Sequence, residues 1–275
     1  MAFSNGLRGI ALGAGILVLG SGAAMAGPNL ANDGSFSTCG TGSACTTSQL
    51  GYAAATAAGV SYAGYSGTNV VGWTNTSTYA YVVTASSLSG GTVTLPAVSV
   101  ATSTGTGSIS MYTFPTLSPD GGNFILQDAD FNVPEGNGGV YNPEVTGGVS
   151  QNISGLQVGQ IYQVGFYEAA AQQNGFYGST TSGWNVTFGG TTQSSSTLSI
   201  AQGGFSGWMY NTLSFVATSS SELLSFVSTG SGAPPFIALD GVSVTAAVPE
   251  PSTWAVFGVA LLGLGMAARR RFRRS

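Results

Sequence analysis

Apolar and polar residues alternate in short runs along most of this chain, with Gly, Pro, Asn and Ser clusters between the runs. The runs include AYVVTAS around Tyr81, GTVTLPAVSV from Gly91, GSISMYTF from Gly107, NFILQDADF from Asn123 and IYQVGFYEA from Ile161. GWNVTFGG from Gly183, NTLSFVAT from Asn211, ELLSFVST from Glu222 and IALDGVSVTA from Ile237 follow. Alternation with a period of two places successive side chains on opposite faces of an extended strand. In IYQVGFYEA, Ile161, Gln163, Gly165 and Tyr167 fall on one side, and Tyr162, Val164, Phe166 and Glu168 on the other. Leu213, Phe215 and Ala217 alternate in the same way with Thr212, Ser214 and Val216. Many short strands with one apolar and one mixed face predict an all-β fold, a single jelly-roll β-sandwich domain over 27–247. LGYAAATAAGVSYAGYSG from Leu50 is Ala-rich, and its Gly and Tyr content predicts an irregular loop rather than a short helix.

The charge pattern removes whole classes of chemistry. Between Gly27 and Val248 there is no Lys, Arg or His, whereas Asp33, Asp120, Asp128, Asp130, Glu135, Glu144, Glu168, Glu222 and Asp240 are acidic. The whole-chain net charge of -4 conceals this, because all six basic residues lie outside that stretch. Nucleic acid is excluded as a partner, since displacing counterions from phosphates needs Lys or Arg. Triads built on His and nucleophiles built on Lys are excluded as well. Carboxylate-pair hydrolysis, calcium binding or plain binding without catalysis remain. DADFNVPEG is not an EF-hand loop, because its third ligand position and its loop glycine are wrong.

The two ends carry their own signals. MAFSNGLRGIALGAGILVLGSGAAMA joins one Arg at position 8 to an apolar stretch and a small-residue cleavage site. It predicts a secretory signal over 1–26 for the Sec machinery and signal peptidase, cut between Ala26 and Gly27; an uncleaved anchor helix is the alternative. Export favours pairing the two cysteines, Cys39 and Cys45, as a disulfide over leaving two free thiols. At the other end, about 17 uncharged, largely apolar residues from Ser252 to Ala268 approach the length of a transmembrane helix. Arg269, Arg270, Arg271, Arg273 and Arg274 follow, and such a cluster stays cytoplasmic, leaving the body outside.

Pro249-Glu250-Pro251, the apolar helix and the terminal Arg cluster together resemble the PEP-CTERM sorting signal of Gram-negative bacteria, over 248–275. The resemblance implies recognition and cleavage by exosortase, a transient inner-membrane anchor, and a final place in the envelope or outside the cell. The company that such systems keep implies an exopolysaccharide or biofilm-matrix setting. The two prolines hold the approach to the helix extended, which presents a cleavable segment.

NLANDGSF from Asn29, and the later stretches from GGVSQNISGLQVGQ to IALDGVSV, are similar to jelly-roll domains of the galactose-binding-like type. That resemblance implies carbohydrate binding, and a structural calcium shared by Asp33 and Asp240; Ser37 stands where the family often has Glu. Sugars stack on aromatic faces while amides and carboxylates meet their hydroxyls. Trp73, Trp184, Phe176 and Tyr177, with Gln172 and Asn174 beside the last pair, form the candidate carbohydrate-binding set. A structural matrix protein without a small ligand is the competing expectation. A glycoside hydrolase working through two of Asp128, Asp130, Glu135 and Glu144 is the enzymatic one, and non-enzymatic function is favoured over it.

Overall fold

Two antiparallel sheets carry the fold in the computed structural model. It describes residues 27–247, except 58–59, 63, 89–92, 96–98, 101–102, 105–108, 113, 115, 131–146 and 233. The expected signal segment with Ala26, the tail from Val248 with its expected membrane helix and its Arg cluster, and Glu135 and Glu144 lie outside the described residues. Among the described residues no helix is long and apolar enough to cross a membrane.

The strands of the two sheets, in chain order, are β1 (Ser48–Gln49), β2 (Thr74–Asn75), β3 (Ala80–Val83), β4 (Phe124–Asp128), β5 (Gly148–Ser154) and β6 (Ile161–Gln172). They continue with β7 (Thr180–Phe188), β8 (Thr191–Ser194), β9 (Leu198–Ile200), β10 (Met209–Val216), β11 (Ser221–Ser231) and β12 (Pro235–Ala246). The first sheet has the order β10-β6-β12-β4-β3-β1; the second has β8-β7-β11-β5-β2, with β9 also on β7. The Ala-rich stretch is not a loop throughout: Ala55–Ala57 pairs antiparallel with Val60–Tyr62.

The inward phase of each strand builds the layer between the sheets. Tyr162, Val164 and Phe166 of β6 meet Trp184, Val186 and Phe188 of β7 and Leu224 and Phe226 of β11. Phe166 and Trp184 both meet Phe226 edge-on, at centroid distances of 5.1 and 6.1 Å. Each such side chain contributes roughly 1.5–3 kcal/mol by leaving water. That burial matters in a body that has no cation with which to form an ion pair.

The first sheet is buried on its other face too. Tyr81, Val83, Phe124, Leu126, Phe236 and Ala238 point away from the second sheet and pack under Val93, Leu95, Met111 and Phe114. Phe114 stacks on Phe124 at 4.9 Å, and Trp208 meets Phe124 edge-on at 5.5 Å. Two covered faces explain the unbroken apolar runs FIL and FIAL, which alternate between two cores rather than between core and water. The cover stops short of the β6–β10–β12 end of the sheet, where Ile161, Gln163, Tyr210, Thr212 and Val216 are exposed.

Candidate carbohydrate-binding cleft

The open end of the first sheet begins at a phase change in β12. Ile237 and Leu239 face the inter-sheet core, and so do Val242 and Val244. Strict alternation cannot place all four there; an extra residue at Asp240-Gly241 can. The pairing records it: Gly165 lies opposite Ser243 and Tyr167 opposite Asp240, so Gly241 and Val242 both face Phe166. Gly241 has a φ of 59°, the left-handed region that a bulge of this type requires and that glycine adopts without penalty.

The bulge allows close approach. A Cβ on Gly241 would lie 2.9 Å from Tyr167 Cδ2 and 3.3 Å from Asp120 Cβ, so its absence lets Asp120 and Tyr167 draw together. Gly165 serves the second aromatic: a Cβ there would lie 2.1 Å from the Tyr210 hydroxyl oxygen and 2.8 Å from Ser243 Oγ. Tyr210 therefore lies across Gly165, with its ring 4.9 Å from that of Tyr167 at 56°. The opening segment forms the facing wall. Val242 N–H donates to Gly34 O (3.1 Å) and Leu30 N–H to Val244 O (2.8 Å). Asn29 Oδ1 accepts from Val244 N–H (2.8 Å), and the Ser35 hydroxyl donates to Asp120 Oδ2. The result is a polar cleft of about 290 Å³ lined by these residues.

One carboxyl in this region is poorly satisfied. Asp240 is 0% exposed and neither of its oxygens accepts a hydrogen bond of good geometry, the Ser118 hydroxyl and the Gly241 amide being its nearest donors. Burial pushes its pKa up to about 7; the nearby Ser118 hydroxyl and Gly241 amide pull it down, and the charge of Asp120 adds to the rise. Asp33, expected to share a calcium with Asp240, is spent elsewhere. Its Oδ1 accepts from Ser37 N–H (2.9 Å) and Ser37 Oγ (2.8 Å), and its Oδ2 from Thr38 N–H (2.9 Å), closing its own turn. Among the described residues no three acidic, His or Cys side chains converge as metal ligands. The Asp33–Asp240 pair does not fit a calcium cage.

Trp73 and Trp184 present no face to a ligand, which corrects their place in the candidate set. Trp184 is 0% exposed, donating from Nε1 to Ala238 O (3.3 Å), and Trp73 sits against Phe36 with Nε1 on Asn32 O (3.0 Å). Both belong to the core between the sheets. Gln172 is buried as well: its Nε2 donates to Gly178 O (3.2 Å) and its Oε1 accepts Gly203 N–H (2.8 Å), which ties down the loop that follows it. That loop carries exposed Asn174, half-buried Phe176 and Tyr177, the last 78% exposed. Asp128 is buried, with its pKa pushed by burial up to about 8, and its Oδ1 accepts Asp130 N–H (3.0 Å). Cys39 and Cys45 form the expected disulfide, with Cα atoms 4.9 Å apart.

Asn29, Ser35, Asp120, Tyr167 and Tyr210 escape the sequence analysis. Two signals pointed toward them. Gly165 within a strand marks a close approach, and the Asp-Gly inside IALDGVSV marks a bulge.

Residues 247–274 match the family model for the PEP-CTERM protein-sorting motif. The chain carries a PEP-CTERM sorting motif. That motif makes exosortase its processing partner and marks it as an exported protein of the cell surface or the extracellular space. No curated protein matches the chain. Among solved structures it is similar to TmCBM61 in complex with β-1,4-galactotriose, at 14% identity and a TM-score of 0.35 over 64% of this chain and 90% of that one. It is also similar to the CBM22-1 xylan-binding domain from Paenibacillus barcinonensis Xyn10C, at 12% identity and 0.31 over 58% and 88%. The sugar-binding C-terminal domain of EclA follows, at 21% identity and 0.26 over 34% and 64%. Overlaps this slight do not place one protein's binding site on another.

Proposed function

We propose that this PEP-CTERM protein is released from its membrane tail by exosortase and binds carbohydrate outside the cell, in the cleft between β6, β10 and β12. The Tyr167–Tyr210 pair carries the reading: two aromatic rings held together on an uncovered sheet face, with Asn29, Ser35 and Asp120 at their edge. Stacking surface beside amide, hydroxyl and carboxylate groups is the combination that sugar recognition uses. Extracellular polysaccharide is the ligand class that an exported surface protein meets. An array of bacterial and plant polysaccharides tests this with the exported protein. Binding that falls several-fold in Tyr210→Ala and survives in Tyr177→Ala supports the cleft. A flat array means a structural protein without a small ligand.

A further inference from the structure

We propose that the cleft selects an amine-bearing glycan, a partly deacetylated amino-sugar polymer, with the Asp120 carboxylate receiving the sugar ammonium beside the Tyr167–Tyr210 pair. The inference rests on the reading of the cleft as a glycan site and adds the class of glycan.

Three observations support the choice. First, Asp120 is an exposed carboxylate without a counter-charge. The stretch from Gly27 to Val248 holds no cation, and the Ser35 hydroxyl is the one partner of its carboxylate among the described residues. Second, Asp240 is fully buried beside it, with neither oxygen in a hydrogen bond of good geometry. Cross-strand partners share a face of a sheet, and Asp240 is the partner of Tyr167, so this second carboxyl lies on the face that carries the cleft. A positive charge brought to Asp120 also favours the ionised form of the Asp240 carboxyl beside it. Third, aromatic rings attract cations through the ring quadrupole, and Tyr167 and Tyr210 line the same cleft as the carboxylate. Carboxylate and tyrosine faces together favour an ammonium over a hydroxyl. An acidic glycan, by contrast, meets a body that is negative throughout.

The test compares glucosamine oligomers with N-acetylglucosamine, glucose and galacturonate oligomers of equal length, by calorimetry on the exported protein. The expected result is a preference of about tenfold for glucosamine over the two neutral oligomers, and no binding of galacturonate. Asp120→Asn abolishes that preference, bringing the glucosamine oligomer to the affinity of the neutral oligomers measured on the same variant. Asp130→Asn makes the same change in net charge away from the cleft and leaves the preference intact. Equal losses in the two variants mean diffuse attraction to a negative body and overturn the inference. Equal affinities for amine-bearing and neutral oligomers, still sensitive to Tyr210→Ala, overturn the amine preference but leave the glycan cleft standing. No binding of any oligomer overturns both.

Discussion

Replacing Gly165 by alanine separates the cleft from the fold that supports it. The added Cβ would stand 2.1 Å from the Tyr210 hydroxyl oxygen, 2.8 Å from Ser243 Oγ and 3.0 Å from Tyr210 Cζ. Ordinary carbon contacts begin near 3.5 Å, so the end of the tyrosine must retreat by roughly 1 Å or more. Tyr210 can retreat, because it is 56% exposed on the edge strand β10 and its ring is not locked in a core. Glycine is also a poor strand residue, and alanine there recovers some backbone entropy. Stability in Gly165→Ala should therefore change by less than about 1 kcal/mol, and the melting temperature by only a few degrees. Binding should suffer more. An aromatic contact of this kind is worth about 1 kcal/mol, or about fivefold in Kd. Calorimetry against a glycan that binds the unmodified protein reads this directly. Combining Gly165→Ala with Tyr210→Ala should add little, since both act through one ring. Unchanged affinity in Gly165→Ala would refute the placement of Tyr210 in the site, and a collapse of the melting temperature would refute the claim that its ring can yield.

Other outcomes follow from the buried acids and from the tail. Asp240 and Asp128, raised by burial from 3.8 to about 7 and about 8, bind protons more tightly folded than unfolded. Their contribution is fully present below about pH 4 and is lost as pH rises through 7 and 8, with Asp240 worth on the order of 4 kcal/mol. Thermal melts should show higher stability at pH 5 than at pH 8, with a smaller difference in Asp240→Asn; a melting temperature that climbs toward pH 8 contradicts this. Mass spectrometry of the protein exported by an exosortase-positive host should find a C-terminus near Pro249-Glu250-Pro251, and an intact chain reaching Ser275 contradicts processing.

The strands were legible because their chemistry is local. Alternation in IYQVGFYEA gives β6 its two faces, and the phase of Tyr162, Val164 and Phe166 points inward as that pattern requires. The cleft was not legible because its parts meet only through pairing distant in sequence. Asn29 and Gly34 reach Val242 and Val244 through hydrogen bonds between the opening segment and the closing strand, and Asp120 arrives on a separate loop. Trp73 and Trp184 mislead for a related reason. Alternation shows that a strand has two faces but not which of them meets the other sheet; Trp184 lies on the face that does, and Trp73, just ahead of β2, joins the same core. Asp33 and Asp240 illustrate a further limit: the resemblance to galactose-binding-like domains implies a shared ion, whereas local donors from Ser37 and Thr38 claim Asp33 for its own turn.

The claim that the cleft holds carbohydrate is tested most directly by amide shift mapping during titration with an oligosaccharide that the protein binds. The largest changes should fall on Gly165–Tyr167 of β6, Met209–Asn211 of β10 and Asp240–Ser243 of β12, with Asp120 beside them. Changes confined to the 173–179 loop around Tyr177, with β6 and β10 silent, would contradict it.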